Sequence, residues 1–304
     1  MAGPHITPVT ADVTRRTNAS LRGVALMAGG MFLFSAVDTH AKFLSDSLHP
    51  VQITWSRQLG LLLGVVIVIL IKGRGVLRSN HPWLQMGRGA MAVFSATFFI
   101  AGVSYVPLAD AIAVTFVAPF IVTLLGALIL GEKVGIRRWT AVIIGFLGTL
   151  IVIRPGLGVV HPAVFLVLLA AIAFAGRQIL SRFLSGDDPV ETTVAYTAIT
   201  SVVLLSLPLP FVWQTPAWGL EVLLLITMAL LAACAETLVI MALEAAEAVV
   251  VAPVHYSILI WGTFYGWIVF DHLPDFWTLF GALIIIATGI YTLNRERVVA
   301  KSRG

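Results

Sequence analysis

Two apolar runs separated by a short charged turn place the first constraint on this chain. Residues 109–130 form one run of roughly twenty-two residues, and residues 136–153 form the next. A helix needs about 20 apolar residues to cross the ~30 Å hydrocarbon layer of a bilayer, and only helices or closed barrels satisfy every backbone polar group there. Two membrane-crossing helices joined through Gly131, Glu132 and Lys133 are therefore expected. Pro119 stands in the middle of the first run, where it removes a backbone donor, so that helix is expected to be loosened and to line a cavity. The turn and the start of the next run carry Lys133, Arg137 and Arg138, and short basic loops stay on the cytoplasmic side.

The rest of the chain has the same character. Of 304 residues, 59% are hydrophobic and 11% charged, and the mean hydropathy is +0.98. A soluble domain is nearer half apolar and a quarter charged, so this is an integral membrane protein. The net charge of +4 is explained by basic cytoplasmic loops and gives no reason to invoke nucleic acid. A single cysteine, Cys234, excludes an intramolecular disulfide and, lying in an apolar run, is expected to be a small buried hydrophobe. Residues 1–22 are polar and punctuated by Pro4 and Pro8, which suggests a disordered cytoplasmic tail. The apolar run at 23–44 is too long for a signal-peptide core and is taken as the first span.

A shift of 140 positions lays the chain on itself. Thr123 and Gly126 fall on Thr263 and Gly266; Lys42, Phe43, Leu44 and Ser45 fall on Arg182, Phe183, Leu184 and Ser185; Phe34 falls on Phe174. This is an internal repeat. Ten spans follow, near 23–44, 51–71, 83–104, 109–130, 136–153, 161–182, 190–212, 217–241, 248–270 and 276–293, divided into a first repeat at 23–154, a second at 155–293 and a cytoplasmic tail at 294–304. With the amino terminus inside, all but three of the nineteen Lys and Arg residues lie at the inner side, leaving only Lys42, Arg57 and Arg154 outside. Both termini are then cytoplasmic. A five-helix unit is odd, so the second copy enters the membrane upside down, as in inverted-repeat transporters. The loop at 271–278, which matches 131–138, indeed holds no Lys or Arg.

These residues resemble the ten-span, EamA-type members of the drug/metabolite transporter superfamily. The resemblance is carried by Asp38 and Lys42 closing the first span, Arg88 in the third, residues 108–111 opening the fourth, Pro119 followed by Gly131, Glu132 and Lys133, and Ala252, Pro253 and Tyr256 in the ninth. Asp271 and His272 stand where the family's second copy usually has a Gly-Glu pair. The resemblance implies an all-α membrane protein with two inverted five-helix repeats around a central cavity. It also implies a secondary transporter of the bacterial inner membrane, most like amino-acid or metabolite exporters. An importer or multidrug exporter is the alternative within the superfamily, and an enzyme acting on a lipid or isoprenoid is the alternative of another class. The sequence holds no His-Glu-x-x-His, Cys/His cluster, Gly-x-Ser-x-Gly or phosphate-binding glycine loop, so no metal, cofactor or catalytic residue is expected.

Ionisable residues inside a bilayer are costly, yet those near helix ends can snorkel to the interface. Lys42, Arg57, Arg88, Asp110, Arg177, Glu221 and Glu244 are assigned to that structural role, with Asp38 and Lys42, four apart, as a local pair. Glu236 and His255 lie deeper, and they are the candidate substrate contacts. Phe34, Phe116, Phe174, Tyr256 and Trp261 are expected to supply the apolar walls, with Pro119 and Pro253 interrupting the helices beside them. The expected partners are a small-molecule substrate and the lipid bilayer. His255 and Glu236 admit proton coupling, and no feature of the sequence sets the oligomeric state.

Overall fold

The computed structural model describes residues 9–131, 135–154, 161–184, 187–246 and 248–301, without the side chains of 9–20, 137–138, 248–249, 252 and 292–301. Glu132, Lys133 and Ser185 lie outside the described residues, as do the side chains of Arg137 and Arg138. The first half comprises α1 (Val9–Leu44), α2 (Pro50–Lys72), a 3-10 turn (Arg74–Leu77), α3 (Pro82–Val103), α4 (Leu108–Thr115), α5 (Ala118–Ile129) and α6 (Ile136–Ile153). The second comprises α7 (Val164–Phe183), α8 (Val190–Ser206), the single turn α9 (Leu209–Val212), α10 (Leu220–Ala245), α11 (Ala248–His255), α12 (Ser257–Phe270) and α13 (Phe276–Lys301). Six stretches are long and apolar enough to cross a bilayer, among them 108–129 taken through the α4/α5 break, and shorter apolar helices occupy 139–153, 190–206 and 276–291. With the broken pair α11/α12, these make the ten crossings of an all-helical membrane protein.

The amino-terminal segment departs from the disordered tail expected for residues 1–22, because α1 already begins at Val9. No proline follows Pro8 before the span. Once a long helix is nucleated by its packed part, each further residue adds a hydrogen bond at little cost, so the polar stretch continues the span.

Helix starts and stops follow from local chemistry. Pro50 and Pro82 sit in the first turns of α2 and α3, where their missing amides are not needed. Gly131 and Asp271, mates under the 140-residue shift, both end their helices with positive φ, 66° and 54°. Aspartate is one of the few residues that tolerate this left-handed cap. The departure from a Gly-Glu pair at Asp271 and His272 therefore preserves the backbone turn.

Helix packing carries the repeat into three dimensions. α1 packs along α10 and α3 along α7; α2 meets α10 as α8 meets α3; α12 lies on α1 as α5 lies on α7. α2 with α8, and α6 with α13, pack against their own mates. Exchanging the two halves maps this set of contacts onto itself, which is a pseudo-two-fold axis. With five crossings in each half, the halves are inverted.

The fourth and ninth spans break at mated positions. α4 ends at Thr115 and α5 starts at Ala118, while α11 ends at His255 and α12 starts at Ser257. Phe116 and Tyr256 sit at the two breaks, 140 apart, with ring centroids 5.0 Å from each other. At the first break Pro119 cannot donate to the Thr115 carbonyl, and its ring crowds that turn. Tightened i to i−3 bonds take over, from Phe116 N to Ala113 O and from Val117 N to Val114 O. Pro253 is accommodated inside α11, and the second break falls three residues later.

Gly60 tests the packing. A Cβ there would collide with the Ala229 carbonyl of α10. Gly60→Val is expected to cost about 1–3 kcal/mol through overpacking, read as a lower melting temperature in detergent.

Candidate functional site

Between the pair α1/α10 and the pair α3/α7 lies the centre of the bundle, and its ionisable groups come from five different helices. Arg57 (α2), Arg88 (α3), Arg177 (α7), Glu236 (α10) and His255 (α11) act on one another electrostatically: Glu236 attracts both Arg88 and Arg177, Arg57 repels Arg177, and Arg177 bears on His255. Their hydrogen-bonding states differ. Arg88 is tied into the scaffold, with Nε donating to Ser181 Oγ at 2.7 Å and Nη1 to Thr197 Oγ1 at 2.6 Å. Arg57 lies 3.6 Å from Asp38 and 5.7 Å over the Phe34 ring.

Arg177 is held by no such partner. Its guanidinium rests 4.9 Å from the centroid of Phe174, and its Nε is buried without a hydrogen-bond partner among the described residues. His255 closes α11 beside the α11/α12 break, with an exposed side chain. Glu236 is half-buried and borders a cleft of about 200 Å³ with Leu61, Gly64, Val194 and Glu244 between α2, α8 and α10. A second cavity of about 450 Å³ is lined by Val122, Gln178, Ser181 and Arg182. Ser181 is one turn from Arg177 on the same face of α7.

The aromatic candidates separate into two groups. Phe34 and Trp261 pack beside the small cluster of Met27, Met31, Ala242 and Val251, and Phe32 meets Trp261 edge-on at 5.1 Å. Phe116 and Tyr256 are buried in the main core, with Phe174 packed against it. The Tyr256 hydroxyl lies so close over Gly289 of α13 that a Cβ there would overlap it. Pro119 is exposed and Pro253 half-buried. Glu236, His255 and Phe174 are thus linked through Arg177, while Phe116 and Tyr256 pack ring against ring between the broken helices.

Sequence reasoning misplaced several charged residues. Asp38 and Lys42 are not partners: Asp38 turns to Arg57, and the Lys42 ammonium donates to the carbonyls of Val103 at 2.6 Å and Val106 at 2.8 Å. Arg177 was assigned to the inner interface, yet it is deep in the bundle. The signal was available in Arg182, which already serves as the terminal basic residue of α7. Arg177 lies five residues earlier, ~7.5 Å deeper along the helix. Cys234 is exposed on the outside of the bundle, not buried. A face of α10 packed only by lipid suffices for an apolar run, so apolarity alone did not imply burial.

Two sets of polar contacts join loops at opposite ends of the bundle, and they are mates. At one end His81 Nε2 lies 3.3 Å from Asp187 Oδ2. At the other, Ser47 Oγ donates to Glu221 Oε1 at 2.7 Å. The shift by 140 exchanges 81 with 221 and 187 with 47. Asp188 strengthens the first set by accepting from Ser79 Oγ, from Gln85 Nε2 at 2.8 Å and from Asn80 N at 3.1 Å. Its slight burial would raise its pKa, but the bonds from Ser79, Gln85 and Asn80 together hold the carboxyl below the usual range. Gln52 and Gln214 exchange two bonds in the second set, Nε2 to O at 2.7 Å and N to Oε1 at 2.9 Å. On that same side Arg154, in the left-handed conformation at φ 46°, bonds Asp275 at 2.6 Å and ties α6 to α13.

Comparison with known proteins agrees with this architecture. Residues 21–154 and 161–295 each match the EamA-like transporter family. The chain is similar to the S-adenosylmethionine uptake transporter of Rickettsia felis, 26% identical over 278 residues covering 91% of this chain and 94% of that protein. It is 29% identical over 283 residues to the riboflavin transporter of Vibrio cholerae, covering 91% and 94%. It is 27% identical over 283 residues to a pseudopaline exporter of Pseudomonas aeruginosa, covering 90% and 96%. A crystal structure superposes with a TM-score of 0.62 at 17% identity, covering 93% of this chain and 99% of the other, which supports the fold.

The Asp188 contacts generate a test. Asp188→Asn is expected to lower thermal stability at pH 7 by less than about 1 kcal/mol, since the group is largely exposed. Because folding depresses its pKa, the wild-type advantage is present above the unfolded value of about 3.9 and is lost as pH falls through the folded value. Melting curves of the two proteins in detergent should therefore converge in acid.

Proposed function

The chain belongs to the EamA-like transporter family, and from that premise we propose that it moves small zwitterionic metabolites of the amino-acid class across the bacterial inner membrane by alternating access. The observation that carries this reading is the meeting of two inverted halves at the Phe116 and Tyr256 breaks, beside a centre that holds Glu236, Arg177 and His255 together. Broken helices at a repeat interface are where transporters of this construction bind cargo. Export is the direction that the family resemblance implies. Uptake is favoured instead by the S-adenosylmethionine uptake transporters among the relatives; S-adenosylmethionine also carries an α-amino-acid group.

In this mechanism the ammonium of the cargo meets Glu236, and His255 lends a donor or acceptor as its proton demands. Phe174, Phe34 and Trp261 present faces and edges that tolerate varied side chains. Rocking of one half on the other would open the centre to alternate sides, with the Phe116 and Tyr256 rings as the packed pivot. Proton movement coupled to His255 and Glu236 would drive accumulation.

Flux into proteoliposomes is the direct test, using amino acids, S-adenosylmethionine and riboflavin as cargo. Uptake above protein-free vesicles is expected for at least one amino-acid-class solute; no flux of any of them would remove the proposal. Glu236→Gln and His255→Ala, at matched membrane abundance, should each lower the rate about tenfold or more and flatten its pH dependence. Wild-type rates and pH profiles in both would place the site elsewhere.

Orientation is tested separately. We propose that both termini and the segment at 131–138 are cytoplasmic, with Asp46, Arg154 and residues 271–275 outside. In intact cells lacking Cys234, a membrane-impermeant thiol reagent should label Leu273→Cys and spare Gly135→Cys. The reverse pattern would invert the topology.

A further inference from the structure

Two opposite charges at the centre of the bundle are left unpaired. Glu236 acts favourably on both Arg177 and Arg88, yet it meets neither in an ion pair among the described residues, whereas the neighbouring Arg57 and Asp38 do pair, at 3.6 Å. Among the described residues, no hydrogen bond satisfies the Arg177 Nε, and the guanidinium lies over the Phe174 ring, 4.9 Å from its centroid. An isolated guanidinium inside a membrane protein is costly, and so is a carboxylate that faces it without closing the gap. Such a pair is stable only if something with the opposite polarity at each end fills the space.

We propose that Arg177 is the carboxylate anchor of the cargo site, so that Arg177 and Glu236 together select zwitterions carrying both a carboxylate and an ammonium. The fork of Arg177 donors matches a carboxylate bidentately, and the cation rests over the Phe174 ring. Glu236, on the opposite pair of helices, accepts the ammonium. Arg88 is unsuited to the anchor role because its Nε and Nη1 are spent on Ser181 and Thr197, and Arg57 is neutralised by Asp38. The assignment rests on the transport reading and sharpens it, since a monopole of either sign would leave one of the two charges unanswered.

The experiment uses three aromatic probes of one size: L-phenylalanine, phenethylamine, which lacks the carboxylate, and 3-phenylpropionate, which lacks the ammonium. Competition and flux are measured in proteoliposomes of the full chain. The wild type should prefer L-phenylalanine over either monopole by about tenfold or more. Arg177→Gln should lose that preference against phenethylamine, and Glu236→Gln should lose it against 3-phenylpropionate. Arg177→Lys, which keeps the charge without the fork, should retain part of the first preference. Because each readout is a ratio between solutes, reduced folding of a variant does not imitate it. Equal handling of the three probes by the wild type would overturn the assignment, as would no interaction with any of them, or single variants that slow every solute alike without changing the ratios. Flux of riboflavin in the cargo screen, with no zwitterion carried, would likewise overturn it while leaving transport itself standing.

Discussion

Inside a bilayer no water drives helices together, so their association depends on how closely backbones can approach. Small residues set that distance here. Gly60 of α2 admits the Ala229 carbonyl of α10, and Gly89 of α3 admits Thr200 of α8. Under the shift by 140, Gly60 becomes Thr200 and Ala229 becomes Gly89. The same contact occurs twice, with the glycine on one member in the first copy and on the other member in the second. Either partner may be the small one as long as the pair is. Gly23 and Gly30 of α1 against α10, Gly102 of α3 against α7, and Gly148 against Gly281 between α6 and α13 extend the rule through the bundle. Everything that follows, including the position of the breaks and of the central charges, is measured from this spacing.

The ends of the bundle are closed by polar groups whose chemistry differs while their geometry is shared. His81 with Asp187 and Glu221 with Ser47 are mates, yet one is an ion pair that needs a protonated imidazole and the other a hydrogen bond to a carboxylate. Inversion exposes mated loops to different compartments, so the residues at them diverge even though the backbone scaffold does not. The side of the Arg154 to Asp275 bond carries additional closure from Lys42, whose ammonium caps the carbonyls at the end of α3 and lies 5.5 Å over Phe270. Asn294 and Gly135, the mates of Arg154 and Asp275, offer no charge pair of this kind.

What could be read from the sequence follows the same division. Span number, the repeat and the helix breaks were legible because each rests on local or periodic features: run length, a charged residue before the same Phe-Leu-Ser, a proline inside an apolar run. Even so, Pro119 marked its break within a turn, whereas Pro253 only came near the second one, since Tyr256 breaks where its mate Phe116 does. The partners of charged residues were not legible. Asp38 and Lys42 share a helix face, but packing of α2 brings Arg57 to the aspartate and the α3 terminus to the lysine. Arg177 looked like a second interfacial anchor because position in a run says little about depth when the run ends in another arginine. The length of α1 was missed for a related reason, as polarity predicts exposure and exposure does not predict loss of helix.

The central charges combine these two kinds of information. Arg57 with Asp38 and Arg88 with Ser181 and Thr197 are satisfied by residues of the same half or of the packed mate, so they hold the helices in register and add little to recognition. Arg177 and Glu236 stand on α7 and α10, helices that face each other across the axis and are each packed on a helix of the other half, α3 and α1. The gap between the two charges is therefore set by the α3/α7 and α1/α10 packing, which crosses between the halves. Under the proposed transport reading, the charges left unpaired by the scaffold are the ones a zwitterionic cargo would meet.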